Sequence, residues 1–370
     1  MKSRGQNLMS AFMCVLAMTA GAVWMGLGPQ SALPAPPTPT GQRTITPPLD
    51  ADHQIMLDVV VTDHSGKPVA GLQQQDFTVL DNKQPRTISS FSAVAGARNS
   101  DDLSEQSMVL VDAANAPFGA IAFQRQQLDR FLRQGGGELP LPMSLIILTD
   151  KWESQPLTTR DGNTLANSLD SEQTGLREIR REQGFYGAVE RFQLSLEALY
   201  RLIDREAARP GRKLVIWVGP GWPLLSAPGT NPTRTDQERI FSNIVRLSTA
   251  LGQARVTLYN VDQPGTTEPL ARSYYERFLK GVSSAQEVQY GDLALQVLAV
   301  QSGGRVLNTS NDLGSSIAAC LADAQVFYTL AFEASAANQP NQYHRLQVNM
   351  NKRGLTARTR TGYYAQPKSE

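Results

Sequence analysis

Asp112 and Asn115 stand three residues apart, just after the apolar run Met108-Val109-Leu110-Val111. A carboxylate and an amide at that spacing can ligate a hard cation, accept loop N–H groups, or make a polar contact to a partner. Trp222, in Gly219-Pro220-Gly221-Trp222-Pro223, sets an aromatic beside a rigid turn. Tryptophan is favoured at recognition hot spots and is equally able to serve as a lid on a core. Other side chains are poorly placed for chemistry. His53, His64 and His344 are scattered, with no metal-ligand or triad spacing. Ser107 and Ser144 lack a Gly-x-Ser-x-Gly elbow and a supporting histidine, so hydrolysis has no evident carrier. Gly135-Gly136-Gly137 and Gly303-Gly304 lack the order of a phosphate loop and read as helix stops. Arg177, Arg180 and Arg181 interleave with Glu172, Glu178 and Glu182, the pattern of a solvated, ion-paired surface.

Elements must bring these residues together. The apolar run before Asp112 is bounded by turn residues and followed by a helical pattern, so it reads as a strand buried on both faces. In open α/β sheets ligands bind at the C-terminal ends of such strands. A helix over 120–134 follows, with Ile121, Leu128, Phe131 and Leu132 on one stripe. Further core strands are expected over 143–149, 213–218, 255–260 and 305–308, with an edge strand over 153–158. Helices are expected over 185–205, 236–251, 274–279, 293–301 and 313–324. This alternation gives helices packed on a mostly parallel sheet. Cys320 shares the last helix's apolar face with Leu313, Ile317 and Leu321, which makes it a buried structural thiol.

Both ends of that α/β pattern are β-rich. Residues 55–62, 77–80 and 86–91 precede it, and 326–332, 345–350 and 356–360 follow it. Three strands are too thin to stand alone. One β-sandwich made from both ends, with the α/β part inserted, is therefore expected; separate small sheets are the alternative. The expected boundaries are 51–97 and 325–365 for the two halves of the sandwich and 105–324 for the inserted part.

Residues 1–28 have Lys2 and Arg4 before an uncharged apolar stretch, the pattern of an export signal. Its length also suits an uncleaved anchor. Residues 29–50 are rich in Pro and Thr and read as a tether. The body is expected outside the cytoplasm, secreted or periplasmic. Hydrophobic residues make up 41% of the chain, enough for a sizeable core, and 35 Lys+Arg against 34 Asp+Glu give nucleic acid no electrostatic reason to bind.

The ordered motifs resemble a known family. They are Leu57-Asp58-Val59-Val60-Val61-Thr62-Asp63, Gly66-Lys67-Pro68-Val69, Val111-Asp112 with Asn115, Pro210-Gly211-Arg212-Lys213 before Ile216-Trp217, Ser302-Gly303-Gly304-Arg305, and Arg360-Thr361-Gly362-Tyr363-Tyr364. Together they make the chain similar to secreted proteins related to the von Willebrand factor A domain, known mainly from acidobacteria. The resemblance implies a Rossmann-like A-type α/β domain, a module for adhesion or assembly, and no enzymatic activity.

Domains of that family hold Mg²⁺ through an Asp-x-Ser-x-Ser loop, a threonine from a second loop and an aspartate from a third. Here the first loop reads Asp112-Ala113-Ala114-Asn115-Ala116, and alanines stand at both hydroxyl positions. The stretch Gln183-Gly184-Phe185-Tyr186-Gly187 has no threonine, and Gly219-Pro220-Gly221 has no aspartate. The metal-ion-dependent adhesion site is thus expected to be degenerate, with no cofactor. Asp112, Asn115 and Trp222 are the expected contact residues, toward a protein or cell-surface polymer. The alternatives are a cation-dependent adhesin that recruits Asn115, Asp150 or Asp262, and a hydrolase with an unrecognised site.

Overall fold

Strand β5 (Glu105–Asp112) alternates its side chains between two apolar layers, Met108 and Leu110 on one face and Val109 and Val111 on the other. Such a strand belongs at the centre of a sheet covered on both sides. In the computed structural model, which describes residues 54–95, 105–149, 157–171, 185–223, 231–263 and 273–367, that is its position. β5 lies between β6 (Glu138–Leu148) and β8 (Arg212–Val218), parallel to both. β9 (Val256–Val261) and β10 (Val306–Leu307) extend the sheet in parallel, and β7 (Thr158–Asp161) closes the far edge antiparallel to β6. The order is β10-β9-β8-β5-β6-β7.

Helices cover both faces. On one lie α3 (Phe185–Ala207), α4 (Arg234–Gln253) and α5 (Leu295–Gln301), which bury Leu199, Leu202, Ile244, Leu247 and Leu298. On the other lie α1 (Phe118–Arg133), α2 (Gly162–Ser171) and α6 (Leu313–Gln325), which bury Leu128, Leu132, Leu165, Ile317 and Cys320. α4 starts with a capping box: the Thr233 hydroxyl accepts the Asp236 N–H at 3.2 Å, and the Asp236 carboxylate accepts the Thr233 N–H at 3.3 Å.

Two antiparallel sheets flank this layer in sequence. One has the order β13-β1-β11-β4 and the other β14-β12-β2-β3. Their strands are β1 (Gln54–Thr62), β2 (Phe77–Asp81), β3 (Gln84–Arg86), β4 (Ile88–Ala95), β11 (Val326–Glu333), β12 (Gln342–Met350), β13 (Thr356–Arg358) and β14 (Gly362–Ala365). Each sheet mixes strands from both ends of the chain: Leu57 pairs with Leu330, and Val79 with Val348. Leu57, Val59, Val79, Phe332 and Leu346 from the two sheets share one core.

Several expected elements move. The strand expected over 86–91 is two, β3 and β4, with Thr87 between them. The edge strand expected over 153–158 is found over Thr158–Asp161, with 153–156 outside the described residues. The helix expected over 274–279 is α-helical at Tyr274 and continues as a 3₁₀ helix over Tyr275–Phe278. Four strands rather than three come from each end. The export segment, the tether, Asp150 and the Arg/Glu cluster of 172–182 lie outside the described residues. Among the described residues no helix is long and apolar enough to cross a membrane.

A buried charge cluster ties the α/β layer to the tail. The Asp323 carboxylate on α6 accepts from Tyr259 Oη at 3.1 Å and from Arg358 Nη2 at 2.5 Å, with Arg305 Nη2 at 3.3 Å. Arg212 Nη1 donates to the Asp323 carbonyl at 2.7 Å. A buried carboxylate needs this matching of charge and donors.

Candidate functional site at the strand ends

Asp112 closes β5 at the C-terminal edge of the parallel sheet and is fully buried. Its Oδ1 accepts the N–H groups of Ala114 at 3.2 Å and Asn115 at 2.9 Å. Its Oδ2 accepts the indole Nε1–H of Trp217 at 2.9 Å, and the Asn115 amide Nδ2 donates to both oxygens at 2.8 and 3.1 Å. Trp217 reaches it because β8 neighbours β5 in register, Leu110 opposite Trp217. Burial pushes the Asp112 carboxyl above the usual range; the Asn115 amide, the Trp217 indole and the loop N–H groups pull against it. Asp112 does not cap α1, whose N-cap position is Pro117. It fixes the loop instead.

Asn115 carries the network onward. Its Nδ2 lies 2.9 Å from the Ser195 hydroxyl on α3, which donates to the Arg191 carbonyl at 2.8 Å. Ser195 is itself fully buried. From the other side, Gly219 sits over Asp112 with φ +149°, and a Cβ there would fall 2.8 Å from the Asp112 Cβ. A larger residue would displace the carboxylate. Asn260 on β9 holds the Gly219 carbonyl at 2.9 Å.

The structure brings Asp112 and Asn115 together as the sequence implied. Trp222 belongs to the core: it is 3% exposed, its indole donates to the Leu293 carbonyl at 2.6 Å, and its ring meets Trp217 edge-on at 5.4 Å. Of its two sequence readings, the lid is the one its burial matches; contact with a partner through that ring is corrected, because the indole faces inward. Asp262 is buried at the end of β9.

The arrangement fits a resident cation poorly. Both Asp112 oxygens already accept protein N–H donors, and Ala114 and Ala116 are buried alanines without a coordinating atom. Among the described residues no group of three or more His, Cys, Asp or Glu side chains is placed to hold a metal ion.

Sequence reasoning gave Ser195, Trp217 and Phe118 no role at this edge. Ser195 interrupts the apolar stripe of α3 between Phe192 and Leu199, and that interruption was the available signal. Phe118 opens α1 and is 61% exposed. Its signal was an apolar residue at a helix start, directly after the Asp112 loop.

No family model matches the chain, and no curated protein matches it in sequence. Among solved structures, an aerotolerance-related membrane protein from Bacteroides fragilis aligns at 11% identity and a TM-score of 0.33, over 59% of this chain and 98% of its own. The human COPII-coat protein Sec24c aligns at 10% identity and a TM-score of 0.29, over 75% of this chain; the match spans 44% of the Sec24c chain. At these scores neither superposition carries a functional argument.

Proposed function

We propose that this chain is an exported, non-enzymatic protein-interaction module of von Willebrand factor A type. In this reading the A-like α/β part is inserted in a β-sandwich built from both ends, and its adhesion site works without a cation. The observation that carries it is the closure of Asp112. The carboxylate that would anchor a metal is buried and used to hold a loop beside an exposed aromatic, Phe118. An exposed phenylalanine next to a stiffened loop is a fitting anchor for a protein partner. The positive start and apolar run of residues 1–28 support export.

The test is capture of neighbours by proximity labelling in the native envelope, using the full chain and Phe118→Ala, with and without a divalent-cation chelator. The expected result is a set of protein neighbours that survives the chelator and is depleted roughly tenfold or more by Phe118→Ala, as for a hot-spot aromatic. Neighbours lost on chelation would replace this reading with a cation-dependent adhesin. Neighbours unchanged by Phe118→Ala would move the contact away from this edge.

A further inference from the structure

A cleft opens at the opposite end of the parallel strands, between the start of β9, the C-terminal ends of α4 and α5, β1, and the chain joining β13 to β14. Two arginines and one carboxylate line it. The carboxylate is already committed. Asp58 takes a forked pair from Arg255, Nε to Oδ2 at 3.1 Å and Nη2 to Oδ1 at 2.5 Å, and a third bond from the Thr329 hydroxyl at 3.0 Å. Arg255 takes a left-handed backbone conformation, φ +52°, just past Ala254, the residue that caps α4.

Arg360 is therefore left without an ion pair of its own, although the Asp58 charge is felt there. Its Nη2 donates to the Met56 carbonyl at 3.2 Å, and it forms no ion pair among the described residues. Its Nε is buried and has no acceptor there, and the same holds for the Thr359 hydroxyl beside it. A guanidinium offers five N–H donors, and burying it with a single carbonyl acceptor leaves much of its hydrogen-bonding capacity open. Burial draws the Arg360 pKa down to about 10, and the Asp58 charge is the first influence opposing that fall. The remaining wall is mixed: Ser248, Thr257, Gln301 and Ser302 line part of it, Leu251 and Leu298 give it a buried apolar strip, and Met56 stands at the rim 45% exposed.

An unmatched guanidinium accepts a carboxylate as a two-pronged, charge-assisted pair. The adjacent hydroxyl adds a third donor, and the leucines suit an alkyl chain. We propose that this cleft binds a small aliphatic carboxylate, its head on Arg360 and Thr359 and its tail along Leu251, Leu298 and Met56. The site stands apart from the Asp112 edge, and neither depends on the other.

The test is calorimetric titration of the full chain with butyrate, acetate and inorganic phosphate, with thermal midpoints measured in parallel. Butyrate should give saturable heat and raise the midpoint, and acetate should bind more weakly for want of a tail. Arg360→Met should abolish the butyrate heat. Thr359→Val, which removes a hydroxyl that makes no bond in the free protein, should leave the ligand-free midpoint in place and weaken butyrate roughly tenfold. Absence of saturable butyrate heat would overturn the proposal and make Arg360 a structural clamp. So would equal heat from phosphate, or butyrate binding at full strength in Thr359→Val and Arg360→Met.

Discussion

Asp112→Ala strands the indole N–H of Trp217 and the loop N–H groups of Ala114 and Asn115 in a place water does not reach. Each buried, unanswered donor costs about 1–3 kcal/mol, and neighbouring losses do not simply add. Urea unfolding should show a loss of roughly 3–5 kcal/mol. A variant within about 1 kcal/mol of the parent would mean that the loop holds itself without the carboxylate. A second acid, Asp292, points the other way. Burial raises its pKa to about 6, with the Gln289 N–H, donating at 2.7 Å, opposing the shift. The folded chain therefore favours the protonated acid. That contribution to stability is full below the unfolded value near 4 and is lost as pH rises through about 6. Asp292→Asn keeps an acceptor oxygen and carries no charge. It should match the parent near pH 4 and exceed it by about 3 kcal/mol at pH 8. Unfolding curves whose difference does not change with pH would remove Asp292 as the source.

Elements were legible where a single periodicity ran long enough. α3, α4 and the buried strands β5, β8 and β9 follow directly from their apolar spacing, because burial on one or both faces is what the pattern records. α2 was not foreseen. Leu165, Ala166 and Leu169 are its only buried side chains, set among Asn, Thr and Ser, which are weak helix formers. Its start was nonetheless written in Asp161, which accepts the Asn163 N–H at 2.9 Å and the Thr164 hydroxyl at 2.6 Å. β14 is a four-residue strand, Gly-Tyr-Tyr-Ala, buried throughout, so no alternation marks it. The strand-end pairing of Asp112 with Asn115 was readable because it is local. The partners Trp217 and Ser195 were not, since their closeness to Asp112 comes from strand register and helix packing. Trp222 shows the same limit: sequence marks an aromatic beside a turn, and only packing decides which way it faces.

At the scale of the whole molecule, the two ends of the chain complete one another. β11 lies between β1 and β4, and β12 lies between β2 and β14. Arg358, just before the last turn, reaches back to Asp323. A chain ending after residue 325 would leave β1, β2 and β4 without their central partners and half of the shared apolar core uncovered. It should show no cooperative thermal transition and no near-ultraviolet signal of fixed aromatics. A sigmoidal melt close to that of the full chain would show that the α/β part and the first four strands stand without the tail. The pairing also sets an order of events in the cell. Leu57 is synthesised long before Leu330, its partner across the sheet. In the interval an adhesive, half-finished edge is open to every other nascent copy. Timing thus becomes a hazard of this architecture, and a helper that shields early strands until the last ones arrive is the kind of factor its production would need.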